Sequence, residues 1–347
     1  MAATPSTYRA VVCESISKTA EDGIDALAIR ELPRKAVLGE TEVRVAVRSA
    51  AINFPELLML QNKYQYKPPL PFVLCTEGAG LISEVGSGVS SFRTGDRVMF
   101  SNFQPCAAAE EAVLDERQVQ RLPSSLSFSQ GAGFSMGYTT AYHGLVHRGH
   151  LKAGEWLLVT GAGGGMGVAA VQLGKALGAR VIAAASSNDK LEVCKSLGAD
   201  ATVNYSTQDL KQAVSDITAG AFCDVIYEVV GGDIFDKCVR CVATSGCARL
   251  LVIGFAGGRI PSLPANLALI KGFDLVGVRM GAQMGLQPDL AVEMNKTLWQ
   301  MAKEGKLKPH VSAEFPVAKM QDAFRLMNDR KVVGKCCITF DASTSKL

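Results

Sequence analysis

Between an apolar run, Trp156 to Thr160, and the helix-like pattern VAAVQLGKALG, five glycines fall within seven positions, 161 to 167. Ala162, Gly164 and Gly167 stand at the first, third and sixth places of a fingerprint usually written G-x-G-x-x-G. Small residues there permit a tight turn, let backbone N–H groups reach a pyrophosphate, and let the following helix pack closely on the strand. The helix N-terminus adds a partial positive charge. No Gly-Lys-Ser/Thr follows, so the loop is not of the Walker A kind. Ala162, Gly163, Gly164, Gly165, Met166 and Gly167 are therefore read as a dinucleotide-binding loop.

The choice of dinucleotide is decided about twenty residues further on, where an acid at the end of the second strand would bond a ribose 2'-hydroxyl. That strand reads RVIAAASSNDKLE, with Ser186 and Ser187 where the acid would stand and Asp189 only later. A carboxylate there would repel a 2'-phosphate by about 4 kcal/mol at about 4 Å and an effective dielectric near 20. Its absence permits NADPH. Lys190, one turn into the next helix, and Tyr205, closing the strand ATVNY, offer a cation and a hydroxyl donor to that phosphate beside Ser186.

Other chemistry-bearing residues carry less. Cys238 and Cys241 form C-x-x-C without a second ligand pair at zinc-finger spacing, and Cys336 and Cys337 alternate faces in a closing strand. His143 and His147 have i, i+4 spacing, but neither His150 nor an E-x-x-H pattern completes a metal set. The ten cysteines are expected as reduced thiols, and no metal site is expected.

The elements that position these residues fall into two textures. The first hundred residues read as short strands punctuated by glycine and proline: EVRVAVRSAAI, GAGLISEVGSGV and GDRVMF. From about residue 131, apolar strands alternate with helix-length segments: WLLVTG, RVIAAA, ATVNY, DVIYEVV, RLLVIGFA and FDLVGV. That alternation predicts β-α-β units and a parallel sheet. The last part holds two helix-like segments and the strand GKCCITF, expected to return to the first domain. Charge is balanced, 36 basic against 33 acidic residues, and interspersed, which gives no footprint for nucleic acid. No apolar run is long enough to cross a membrane, and the first ten residues carry no secretion signal.

Taken together, the stretches AAINFPELLMLQNKYQYKPPLPFVLCTEGAGLISEVGSGVSSFRTGDRV, GFSMGYTTAYHGL, VTGAGGGMGVAAVQLGKALGA, SLGADATVNY and VVGKCCITF resemble the medium-chain dehydrogenase/reductase superfamily, and within it the zinc-independent quinone oxidoreductases. The resemblance implies an α/β chain. Residues 1–130 would begin a GroES-like β-rich catalytic domain, 131–281 would form a doubly wound Rossmann domain binding NADPH, and 282–347 would complete the first domain. Nicotinamide and substrate would meet in a cleft between the domains, and the edge strand near GFDLVGVR would pair two copies into a homodimer.

Zinc-dependent relatives place ligands where this chain has Asn53, Thr76 and Ala132, an amide, a hydroxyl and a methyl group that make a poor zinc site. The resemblance puts Asn53 beside the nicotinamide and Tyr64 beside the substrate. The implied activity is hydride transfer from NADPH to a quinone. Two alternatives stand beside it: reduction of an activated C=C bond in an enoyl thioester or enone with Tyr64 as proton donor, and NADPH binding without turnover. The ending Ser345-Lys346-Leu347 spells a peroxisomal address, so the import receptor is an expected partner and the peroxisome or a related microbody such as the glycosome the expected location.

Overall fold

The computed structural model describes residues 6–341, apart from the side chains of residues 282–284; Ser345, Lys346 and Leu347 lie outside the described residues. The chain divides into two units, 1–135 with 309–347, and 136–308.

In the first unit a long strand, Glu42–Ile52, lies at the centre of a seven-stranded sheet. Its run of valine, alanine and isoleucine is buried for most of its length, which suits β-branched residues facing a closed core. Glu77–Val85 pairs with it on one side and the closing strand Lys335–Thr339 on the other, both antiparallel. Val311–Pro316 then adds to the closing strand in parallel. A three-stranded sheet of Ala28–Pro33, Thr7–Cys13 and Phe72–Val73 completes the unit. These outer strands alternate weakly in hydrophobicity and escape a reading of periodicity alone.

The second unit carries six parallel strands. Trp156–Thr160, Arg180–Ala185, Ala201–Asn204, Val225–Glu228, Ala248–Val252 and Phe273–Gly277, numbered in chain order, lie side by side as 3-2-1-4-5-6. That is the dinucleotide-binding order, with its reversal between the first and fourth strands. All six are visible in the sequence as apolar runs. The described residues contain no helix long and apolar enough to cross a membrane.

The segment after residue 281 does not leave the second unit at once. Helix Pro288–Lys303 buries Met294, Leu298 and Ala302 there. Gln172 then clamps the chain: its Nε2 donates to the Lys308 carbonyl at 2.8 Å and its Oε1 accepts from the Lys308 N–H at 2.8 Å. The break falls after Lys308 rather than at 282, because an amphipathic helix keeps its apolar stripe on the unit that covers it.

Candidate active and cofactor sites

In the second unit the strand Trp156–Thr160 ends in the glycine loop, and helix Gly165–Ala176 starts from Gly164 as N-cap. Gly161 turns the chain at φ +56°. A Cβ on Gly167 would lie 2.4 Å from the Gly161 carbonyl oxygen and 2.5 Å from the Ala162 Cα, so only glycine allows this approach of helix to loop. Ala162 is buried, and its N–H donates to the Ala184 carbonyl of the next strand at 3.0 Å. Gly165 and Met166 fall in the first helical turn, whose N–H groups have no partner within the helix. The backbone, not the side chains, offers the hydrogen bonds, and this fits a pyrophosphate.

Strand Arg180–Ala185 runs out into Ser186, and Ser187 caps the helix Asn188–Ser196 with Asp189 in its first turn. The Lys190 stem lies over the loop: a Cβ on Gly163 would sit 2.6 Å from its Cβ and 3.0 Å from its Cδ. Tyr205 follows the third strand, its N–H donating to the Ala185 carbonyl at 3.1 Å. Ser186 accepts at its carbonyl from Ser206 Oγ at 3.0 Å. Loop, Ser186, Lys190 and Tyr205 thus gather at the carboxyl ends of the first three strands.

Glu228, at the end of the fourth strand, is wholly buried. It accepts from Thr160 Oγ at 3.1 Å, the Val230 N–H at 2.8 Å and the Gly231 N–H at 3.0 Å. Burial raises its carboxyl above the ordinary value. The carboxylate ties the next loop to the strand that feeds the glycines, and Val229 Cγ2 would meet a Cβ on Gly161 at 2.6 Å.

The first unit holds a site of another kind. Asn53 ends the long strand and caps helix Phe54–Met59, at φ −123° and ψ 161°, its carbonyl accepting from the Glu56 N–H at 3.2 Å. The amide reaches two buried charges. Its Nδ2 donates to Glu77 Oε2 at 3.0 Å, and its Oδ1 accepts from Lys335 Nζ at 2.7 Å. Lys335 also donates to Glu77 Oε2 at 2.9 Å. The pairing of Cys336 with Ile52 explains the meeting, since one further antiparallel step sets Lys335 opposite Asn53.

Glu56 supports this group from the helix. Its Oε2 accepts from the Asn53 N–H at 2.9 Å, and its Oε1 accepts from the N–H and hydroxyl of Thr76 at 3.1 and 3.0 Å. Burial pushes its carboxyl up to about 7, against the pull of the Thr76 bonds. Cys75, just before Thr76, is buried at φ +63°, a left-handed conformation costly for a residue with a Cβ. Tyr64 is half-buried against the core of the same unit, and burial lifts its phenol above the ordinary value. It therefore keeps its proton and can donate a hydrogen bond.

These groups do not suit a zinc ion. The three ligand places carry an amide, a hydroxyl and the buried methyl group of Ala132, and an ammonium already occupies the amide oxygen. Among the described residues no three His, Cys, Asp or Glu side chains gather as a metal set. His143 and His147 lie in a π-helical turn, His143–Arg148, with Nδ1 atoms 3.3 Å apart, and burial lowers the pKa of both. Cys238 and Cys241 are buried free thiols that burial makes harder to ionise.

An alcohol dehydrogenase GroES-like domain matches residues 39–153, and a zinc-binding dehydrogenase domain matches 165–296, a span that contains none of Asn53, Thr76 and Ala132. A quinone oxidoreductase-like protein 2 homolog from Nematostella vectensis is 42% identical over 96% of this chain and 89% of its own length. The chain belongs to the medium-chain dehydrogenase/reductase superfamily.

Within that superfamily it is quinone oxidoreductase-like, an oxidoreductase with a nicotinamide-binding unit. A crystal structure of an NAD-dependent alcohol dehydrogenase shares 30% identity at TM-score 0.84, covering 96% of this chain and 100% of the other. Escherichia coli quinone oxidoreductase complexed with NADPH shares 25% identity at TM-score 0.82, with coverage of 96% and 100%. These superfamily relatives thus include proteins described with either cofactor.

Sequence reasoning singles out Asn53, Tyr64 and the residues expected at the cofactor, but not Glu56, Glu77, Glu228 and Lys335, which the structure buries beside them. A signal was present in each case: a charged residue inside or at the edge of an otherwise apolar run, FPELLML, CTEGAG, DVIYEVV and GKCCITF. Such residues are almost never fully buried unless paired.

Proposed function

We propose that the chain is an NADPH-dependent quinone oxidoreductase that works without a metal. The observation that carries this reading is the Asn53, Glu77 and Lys335 group, which offers hydrogen bonds and fixed charge at the places where zinc relatives hold a Lewis acid. A quinone accepts hydride readily, and its developing oxyanion asks for a donor more than for a strong acid. Bound NADPH supplies the hydride. On this reading the glycine loop holds the pyrophosphate through backbone N–H groups, and Asn53 donates from its amide to the substrate oxygen. Tyr64 adds a phenol that remains protonated beside it. For the cofactor, the missing acid at Ser186 and the Lys190 stem on Gly163 favour a 2'-phosphate over a 2'-hydroxyl.

The test is the loss of NADPH absorbance in metal-free buffer with a panel of quinones, an enoyl thioester and an enone, for the wild type and Tyr64→Phe. Quinone turnover that survives Tyr64→Phe is expected. Turnover confined to the C=C substrates and lost in Tyr64→Phe would replace this reading by that of a C=C reductase. Tight NADPH binding with no acceptor would leave a binding protein.

The edge strand Phe273–Gly277 pairs on one side only among the described residues, with Leu275 partly exposed. We propose that a second copy pairs there; light scattering giving a monomer mass at micromolar concentration would rule it out. The ending Ser345-Lys346-Leu347 is proposed as the peroxisomal address. A fluorescent reporter carrying that ending is expected in peroxisomes, and cytosolic fluorescence would refute the assignment.

A further inference from the structure

Lys335 and Glu77 form an ion pair that water barely reaches, 4% and 0% exposed, and a buried pair of this kind is weak evidence for stability, since apolar residues of like volume serve a core as well. What the pair does locally is define one side chain. Lys335 can only donate and an ionised Glu77 can only accept, so the Asn53 amide has a single orientation, oxygen to the ammonium and nitrogen to the carboxylate. A flipped amide would set NH2 against NH3+ and oxygen against oxygen. The ammonium also draws electron density from the amide oxygen, which makes the amide N–H groups better donors. One of the two goes to Glu77; the described residues record no acceptor for the other.

We propose that Lys335 is a positioning residue for the reduction. Its ammonium, held by Glu77, orients the Asn53 amide and strengthens the remaining N–H toward the substrate oxygen that gains negative charge. The cation thus stands among the metal-ligand places of the zinc relatives and acts through Asn53, without touching the substrate. This assignment rests on the quinone reductase reading above, because that reading brings substrate to Asn53.

The test compares four proteins with NADPH and 1,4-naphthoquinone: wild type, Asn53→Ala, Lys335→Met with Glu77→Gln, and all three changes together. The paired change removes the ammonium and the carboxylate together, so neither is left buried without the other, and the glutamine carbonyl that Glu77→Gln introduces still accepts from the Asn53 amide. Asn53→Ala and the paired variant are each expected to lose about tenfold to a hundredfold in kcat, with the NADPH Kd held within about twofold. The triple variant is expected to be no slower than Asn53→Ala alone, because Lys335 has nothing to act through once the amide is gone. Multiplying losses in the triple variant, or an unchanged kcat in the paired one, would overturn the assignment.

A second readout needs no turnover. The Asn53 side-chain amide resonances, identified by their disappearance in Asn53→Ala, are expected to exchange slowly with solvent in the wild type and faster in the paired variant. Equal exchange in the two would overturn the positioning role. A wild type that reduces no acceptor would refute the function above while leaving this amide measurement decisive for Lys335.

Discussion

The two units surround the residues proposed to hold small molecules by opposite means. In the second, the dinucleotide loop works by lacking side chains, with Gly163 and Gly167 letting backbone and the Lys190 stem come close. In the first, Asn53 is surrounded by the most expensive side chains a core can hold, Glu56, Glu77 and Lys335, all buried. A backbone cradle is local and tolerates little added volume. A charge network is dispersed and tolerates little lost charge. Each should therefore fail in its own way.

The largest effect is expected at the cradle. Gly167→Val places a branched side chain where even a Cβ would lie 2.4 Å from a carbonyl oxygen, and NADPH binding should be abolished. Binding within twofold of wild type in a fluorescence titration would mean that the loop can open and that the contrast between the units is false.

Next comes removal of one charge. Lys335→Met takes the ammonium from the buried Glu77 carboxylate, expected to cost about 3–5 kcal/mol in chemical denaturation. Adding Glu77→Gln should return most of it. A single variant as stable as the pair would show that water reaches the network.

Glu56→Gln sharpens the comparison through pH. The amide cannot accept from both Asn53 and Thr76 as the carboxylate does, so a loss of about 1–3 kcal/mol is expected. The wild-type carboxyl titrates at about 7 in the fold against 4.5 outside it, so the folded state binds this proton more tightly. Ionising it costs stability: the cost is absent below about 4.5, grows through that interval and is complete above about 7. The stability of wild type minus variant should fall as pH rises across the interval. A flat difference would mean that Glu56 stays ionised in the fold.

The smallest effect is expected at the rim of the cradle. Lys190→Ala should weaken NADPH by about tenfold, the worth of one charge-assisted contact, and leave NADH unchanged. Equal losses for both would remove Lys190 from the 2'-phosphate.

The same contrast explains what the sequence disclosed. The cradle is written in consecutive letters because a strand, a loop and a helix N-terminus are adjacent in the chain, and the six apolar strands around it alternate with helices at a readable period. Ser186, Lys190 and Tyr205 follow from strand ends. The network has no such grammar. Asn53 stands out only through resemblance; its residue type alone suggests a turn that bonds its own backbone and does not disclose the bonds of its amide to Glu77 and Lys335. Glu77 and Lys335 meet it because two strands distant in sequence flank the same central strand. Periodicity reports which face a residue occupies, not which remote strand lies opposite. The division after Lys308 is hidden for a like reason, because the apolar stripe of Pro288–Lys303 does not say which unit covers it.

The separation of Glu77 from Lys335 also orders the birth of the molecule. The carboxylate is synthesised first, and its ammonium follows 258 residues later. The nucleotide-binding unit, continuous from 136 to 308, is complete before that lysine is made. Of the two units, the one that holds Glu77 is begun before the other and closed after it, and its interior charge must wait in water until the strand Lys335–Thr339 arrives.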